Sequence, residues 1–562
     1  MSDVKGGHMV AKALIAEGVS HVFTLASGEI LPICDTLFDE GVKVINVRHE
    51  QAAGNMADGW GRVTRTPGVA IVAMGPGIVN SMPALAQASF AGSPVVTITG
   101  CVPLNMQDRD AFEDIDTCGY VAPYTKWARK CIDSKRLPEY VGKAFTAASS
   151  GKMGPVLLEA PKDILLGPFA GDSQMRITPS SYRPSGKIFG DPESVRKAID
   201  ILIEAKQPAI IAGSGVYWAG AEKELVELAE MISAPVACEY LALGCIPMDN
   251  DLFFGNAISN FWMRQADAFL VIGARLDNFL AYGVDPSFYP EDVKLIHVDI
   301  DSSIIGKNRS VDVGIVGDAR AVLSQMIDIV KQKIKQKIER EGTANMRQGW
   351  LTMAEAFDEE AASEEVPLRP HRMMKEIRDL TSPESRYIID GGDTTAWANL
   401  YLKANYPAQI ISSQGPLGHL GAGLPIALAA KLAEPGRPVY LISGDGSFLF
   451  NVSELDTAVR HKIPIIAIVT NDTAWGLVYH SRLASGKSEE VAGRGTILSE
   501  GLRYDKLAEG FGAKGELVTE PNQIKPALDR ALESELPYVI DARVSREYES
   551  MLTQILGSKV EF

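Results

Sequence analysis

The order of apolar segments predicts an α/β protein of three doubly wound domains, each built on a parallel sheet. Short apolar runs bounded by turn residues alternate with helical stretches along the whole chain. The alternation breaks at two polar segments, and the first and last blocks share one rhythm and a similar length. A chain of 562 residues suits three to four domains at roughly 150 residues each.

The first block, 1–171, carries the strand candidates HVFTL, VKVINV, GVAIVAM, SPVVTITG and GPVLLEAP. The Pro-, Ser- and Gly-rich stretch 178–187 reads as a linker. The second block, 190–335, offers PAIIAG, PVACE, AFLVIG, KLIHVDID and VGIVGD. The charged segment KQKIKQKIEREG, 331–342, is expected to be a solvated helix. The third block, 366–550, offers RYIIDGGD, AQIISS, RPVYLISGDG, PIIAIVTND and PYVIDARV.

A net charge of −16 argues against non-specific binding to nucleic acid or to an anionic membrane. No apolar run approaches the ~20 residues that span a bilayer. The N-terminus lacks a secretory pattern, and six scattered cysteines without a C-x-x-C pair read as thiols of a reducing compartment, so cytoplasm is expected.

The segment 440–476 carries the chemistry. An apolar strand ends in Gly444-Asp445-Gly446-Ser447, a helix follows, and a second strand ends in Asn471-Asp472. In a right-handed strand–helix–strand unit both strand ends emerge on one edge of the sheet. Asp445 and Asp472 should therefore face one crevice. Gly444 and Gly446 allow close approach of a phosphate, and carboxylate oxygens suit magnesium bridging a diphosphate. Asn471 is the alternative ligand if the register shifts by one.

This arrangement resembles the diphosphate-binding signature of the thiamine diphosphate enzyme superfamily, with an aspartate where an asparagine is usual. The resemblance implies thiamine diphosphate and Mg2+ as cofactors, with Asp445, Asp472 and the carbonyl of Ala474 as metal ligands. It also implies that Glu50, in the strand–His-Glu–helix segment NVRHEQAAGNMADGWGR, hydrogen-bonds the aminopyrimidine ring. The segment GPG-x-x-N, with Gly75 and Asn80, matches the same superfamily. In ISSQGPLGHLGAGLP, Gly418 and Leu420 resemble the residues that hold the cofactor bent. Gly391, Asp393, Trp475, Gly476 and Leu477 join Gly444, Gly446 and Ser447 around it by the same likeness. The resemblance covers the chain in the order pyrimidine-binding, middle Rossmann-like and diphosphate-binding domain, and implies a homodimer or homotetramer.

Among members, the first block looks most like acetolactate synthases, the region after Trp475 more like benzaldehyde lyase, and the middle block like oxalyl-CoA decarboxylase and 2-hydroxyacyl-CoA lyase. The leading expectation is a decarboxylase and carboligase of 2-oxo acids, with a lyase acting on an acyloin or acyl-CoA as the alternative. An aldehyde is a further candidate substrate. Retention of Glu50, Asp445 and Leu420 argues against an idle homologue. Glu29 and Glu113 are expected to place two carboxylates near the reacting carbon, where pairing makes one a proton donor. His419 and His480 are candidate proton shuttles. Gly213-Ser214-Gly215, Gly273-Ala274-Arg275 and Asp299/Asp301 lie at strand ends of the middle block, where relatives hold FAD or ADP. A site that has lost its ligand, an ADP site and an FAD site all remain open there.

Overall fold

The structure is a computed structural model that describes residues 4–183, 185–256, 264–284, 286, 289–290 and 292–550. It contains three six-stranded sheets. The first consists of β1 (His21–Thr24), β2 (Lys43–Asn46), β3 (Gly68–Val72), β4 (Val95–Cys101), β5 (Trp127–Lys130) and β6 (Pro155–Pro161), in the order β2-β1-β3-β4-β6-β5. The second has β7 (Pro208–Ala212), β8 (Val236–Cys238), β9 (Phe253–Asn256), β10 (Ala268–Ile272), β11 (Lys294–Asp299) and β12 (Val313–Val316), ordered β12-β11-β10-β7-β8-β9. The third has β13 (Arg386–Asp390), β14 (Ile410–Ser412), β15 (Val439–Gly444), β16 (Ile466–Asn471), β17 (Lys514–Val518) and β18 (Tyr538–Arg543), ordered β14-β13-β15-β16-β18-β17. Neighbouring strands run parallel in all three.

The first and third sheets have one topology, so the shared rhythm of the outer blocks reflects two copies of one architecture. Central strands such as β3, β7 and β10 are buried along their whole length, which is why they read as unbroken apolar runs. In each sheet the chain reverses its direction of growth between two adjacent strands: β1 and β3, β7 and β10, β13 and β15. Open α/β sheets bind ligands beyond the strand ends at such a reversal.

Three strands escaped the sequence reading: β5, β9 and β17. Each is an outermost strand of its sheet. Two of them show a weak pattern for a common reason, since WARK and KGELV carry charge and lie partly exposed. The expected helix over 331–342 is a correction. Helix Ala319–Lys333 ends there, 334–340 is irregular, and a new helix spans Glu341–Glu360. The Arg340 guanidinium explains the break, because it donates to the carbonyls of Ile232 (2.9 Å) and Leu202 (3.1 Å) and to that of Ala205. Those bonds satisfy helix-end carbonyls that a continuing helix would leave without the arginine.

Small residues set the spacing of helix Glu50–Thr64. A Cβ on Gly54 would stand 2.6 Å from the Ala84 Cβ, and one on Gly59 would stand 2.9 Å from the Ile426 Cα. The helix is thus wedged between helix Pro76–Ala91 of its own domain and helix Gly423–Ala433 of the third. Arg62 ties all three domains together. It is 2% exposed, makes a two-pronged ion pair with Asp58 (2.8 and 2.6 Å), and donates to the Ser412 carbonyl at 2.9 Å. The Tyr217 hydroxyl of the middle domain donates to the Arg62 carbonyl at 2.5 Å. Arg62→Met strands a buried Asp58 carboxylate, and the expected loss is about 3–5 kcal/mol of stability. Denaturant unfolding of the variant measures it, and a change under 1 kcal/mol (about the worth of a surface pair) would count against this role.

Candidate active site

The third sheet brings its two loops together at the reversal. Gly391 follows β13 with φ +123°, and a Cβ there would stand 3.0 Å from the Gly444 amide nitrogen. Glycine is needed because the loops after β13 and β15 cross in contact. Asp445 begins the next helix, is 2% exposed, and accepts the Gly446 N–H at 2.8 Å. Gly444 pairs with Thr470 of β16, so Asp472 lies beside Asp445 just past the strand end. Asp472 is partly exposed as a residue, yet its carboxylate is enclosed by the Ala474 N–H (3.1 Å) and by Gly476.

Burial first, and then mutual repulsion, pushes the Asp445 carboxyl well above its ordinary range. Burial and the nearby Asp393 push Asp472 the same way. Two enclosed carboxylates that repel each other are an incomplete arrangement until a cation joins them. Among the described residues, no cluster of three or more His, Cys, Asp or Glu side chains forms a metal cage. The pair therefore fits a hard cation that takes its remaining oxygens from a phosphate, the backbone and water. Asn471 is spoken for, since its amide donates to Asp541 at 2.8 Å and its oxygen accepts the Thr473 N–H at 3.2 Å.

Gly446 has a second reason to be glycine. A Cβ there would stand 2.6–2.9 Å from three ring atoms of Trp475, whose indole also meets Phe450 edge-on at 6.2 Å. Gly446→Ala should displace the indole and weaken thiamine diphosphate binding, which titration calorimetry reads directly; unchanged affinity would show that the indole is free to shift. Leu477 packs against Gly392, and Ser447 is buried beside Asp445.

His480 is positioned differently from a proton shuttle. Its Nδ1 lies 2.6 Å from Asp393 and its Nε2 lies 2.9 Å from the Arg546 carbonyl. A carboxylate and a carbonyl only accept, so this placement favours the ring with a proton on both nitrogens. Burial lowers its pKa, but the bond to Asp393 and that group's charge outweigh it, and the net shift is upward. His480 thus offsets charge beside Asp393 and Asp472 and has no free nitrogen to relay protons. A raised folded pKa means its stabilisation is complete below the ordinary value near 6.5 and fades as pH rises through the raised one. The unfolding midpoint of His480→Gln should fall furthest below that of the unaltered protein near pH 6 and converge on it in alkali; a pH-independent gap would contradict the cation.

In the first domain, Glu50 is the first residue of its helix and 8% exposed, with Asn80 donating to its carboxylate at 3.0 Å. Glu29 lies at the β1/β3 reversal. It is buried and accepts the Ser27 hydroxyl (2.6 Å) and the Met74 N–H (3.0 Å). Glu113 sits at φ +66° with its backbone against Gly75. Both acids thus flank the 74–75 turn, and no hydrogen bond joins them directly.

The loop 413–423 carries Gly418, His419 and Leu420, and the clamp on it was not foreseen. Asp390 accepts the Gly421 (3.2 Å) and Gly423 (2.7 Å) amides, and burial raises its pKa to about 6. Asn451 donates to the Gly421 carbonyl (2.7 Å), and Gln87 of the first domain donates to that of Ser413 (2.8 Å). His419, its pKa lowered by burial, meets the Gln51 amide at 3.1 Å. Gly418 is exposed at φ +75°, and Leu420 stays partly exposed rather than joining the core. The only advance signal for Asp390 was an acid at a strand end before two glycines.

In the middle domain a cavity of about 470 Å3 lies over the β7/β10 reversal, lined by the ends of β7, β8, β10, β11 and β12. Gly213 and Gly215 are required by contact, because a Cβ on either would run into the Gly273 backbone. Asp299 and Arg275 line the cavity, while Asp301 pairs with Lys152 at 3.2 Å.

The class follows from these strand-end sites together with sequence comparison. Descriptions of the thiamine pyrophosphate enzyme domains match at residues 4–120 (N-terminal TPP binding), 195–326 (central) and 390–542 (C-terminal TPP binding). The chain belongs to the thiamine pyrophosphate enzymes, which use thiamine diphosphate. Within that class it is acetolactate-synthase-like. It is 34% identical to the acetolactate synthase large subunit of Mycobacterium tuberculosis, covering 95% of each chain. It is 33% identical to a probable acetolactate synthase large subunit of Methanocaldococcus jannaschii (96% of this chain, 91% of that one). It is 30% identical to the Escherichia coli isozyme 3 large subunit (95% and 93%).

Proposed function

We propose that the protein joins two 2-oxo acids, releasing carbon dioxide from the first and coupling the remaining acyl unit to the second, with pyruvate as the first substrate to try. The observation that carries this reading is the enclosed Asp445–Asp472 pair at the β13/β15 reversal, in a chain that matches acetolactate synthases almost end to end. Asp445, Asp472 and the Ala474 carbonyl would hold Mg2+, and Gly391, Gly444 and Gly446 would admit the diphosphate. Bound thiamine diphosphate supplies an electron sink for the carbon that loses carbon dioxide. Glu50, oriented by Asn80, holds a proton at the aminopyrimidine ring. Leu420 and Gly418 support the bent cofactor, and Trp475 and Leu477 bound the substrate space. Glu29 and Glu113 line the approach from the first domain, and neutral His419 can accept a proton there.

We read 1–171, 190–335 and 366–550 as the pyrimidine-binding, middle and diphosphate-binding domains. Leu449 and Phe450, just after Asp445, are exposed. This exposed apolar pair supports a site completed by a second copy, in a homodimer or homotetramer. Cytoplasm suits six free thiols, and no helix among the described residues is long and apolar enough to cross a membrane. The middle cavity, with Asp299 at a strand end as ribose partner, suits ADP or FAD.

The test is carbon dioxide release from pyruvate with thiamine diphosphate and Mg2+, with the product identified. Acetolactate supports the proposal. Cleavage of benzoin or a 2-hydroxyacyl-CoA without action on pyruvate overturns it in favour of a lyase.

A further inference from the structure

Glu239 follows β8 and stands in the wall of the middle-domain cavity. It is 1% exposed, and its Oε1 has no hydrogen-bond partner among the described residues. Its backbone is fully engaged, the N–H bonding to Ala212 O and the carbonyl accepting from Ala242 N–H, each at 2.9 Å. The residue's backbone is therefore fixed while this oxygen stays unsatisfied. Arg275 makes no hydrogen bond to that atom, and its guanidinium donates to the Phe90 carbonyl at 2.8 Å. A buried polar atom left unpaired is costly, and one in the wall of a cavity is placed where a ligand can complete it.

Burial, with the nearby Asp277 adding to it, holds a proton on Glu239 well above the usual carboxylate range despite Arg275. A protonated carboxyl offers an O–H donor beside a C=O acceptor. Its complement is a planar edge with an acceptor beside a donor. Adenine has one in a ring nitrogen next to its amino group, and isoalloxazine has one in a ring N–H next to a carbonyl.

We propose that Glu239 is the specificity residue of this cavity, its carboxyl reading the edge of a neutral heteroaromatic ring that presents a hydrogen-bond donor beside an acceptor. The proposal rests on the cavity being a nucleotide site. It accounts for a glutamate kept buried with an unpaired oxygen in the cavity wall.

The experiment is titration calorimetry and thermal unfolding of the full-length protein with ADP, FMN and FAD as probes, comparing the unaltered protein with Glu239→Gln and Glu239→Leu. Glutamine keeps a donor and an acceptor and should bind like the unaltered protein. Leucine should bind on the order of tenfold more weakly or worse, and should raise the unfolding temperature without ligand. Response to ADP but not FMN assigns the adenine edge, and the reverse assigns the flavin edge. Purine riboside diphosphate, lacking the amino group, and N3-methyl FMN, lacking the N–H, make the same test on the unaltered protein should the leucine variant not fold. Equal binding by the leucine variant, or by these analogues, overturns the role of Glu239 while leaving the nucleotide reading intact. An unaltered protein that binds none of the three probes overturns both.

Discussion

Glu50→Gln is expected to cut turnover by about 10²–10⁴-fold, the usual worth of a positioned acid–base group, while thiamine diphosphate binds as before. The side chain keeps its shape, so Asn80 can still hold it through the amide oxygen. What disappears is a carboxyl able to hold and release a proton at the aminopyrimidine ring. Because Asn80 donates to this carboxylate, Asn80→Ala should lower turnover less and in the same direction. Steady-state rates with pyruvate, beside calorimetric cofactor affinity, separate the two effects. An E50Q variant that keeps most of its turnover would show that Glu50 is not the relay; one that loses cofactor affinity instead would make it a binding group.

Asp445→Asn should act in opposite directions on stability and on binding. Without a cation, burial and the nearby Asp472 make Asp445 costly to ionise on folding, and asparagine removes that cost. The metal-free variant should therefore unfold at a higher temperature than the unaltered protein. Magnesium-dependent binding of thiamine diphosphate should weaken by more than the roughly 10–100-fold that loss of an outer-shell partner costs. Thermal unfolding without metal and titration with Mg2+ and thiamine diphosphate read the two halves independently. A variant that is both less stable and equally able to bind would mean that the pair is a structural element rather than a cation site.

For Asp445 and Asp472, strand ends on adjacent parallel strands must emerge together, so sequence order alone brought them to one place. For Glu29 and Glu113, nothing so rigid links the two segments. Glu29 found a hydroxyl and an amide at the 74–75 turn, and Glu113 was oriented by a left-handed backbone packed on Gly75. His480 shows the same limit, because only its partners Asp393 and Arg546, distant in sequence, reveal that both ring nitrogens are taken.

What the sequence determined by itself was the layered architecture, the Gly-Asp-Gly crevice and the place of Glu50, since each depends on local periodicity or on strand ends that parallel pairing must align. Tertiary structure alone decided the edge strands β5, β9 and β17, the Arg62 junction, the clamp on loop 413–423 and the unsatisfied Glu239. These depend on which surfaces are covered and which partners arrive from tens to hundreds of residues away. Burial and hydrogen bonding over such distances leave no periodic trace in the chain.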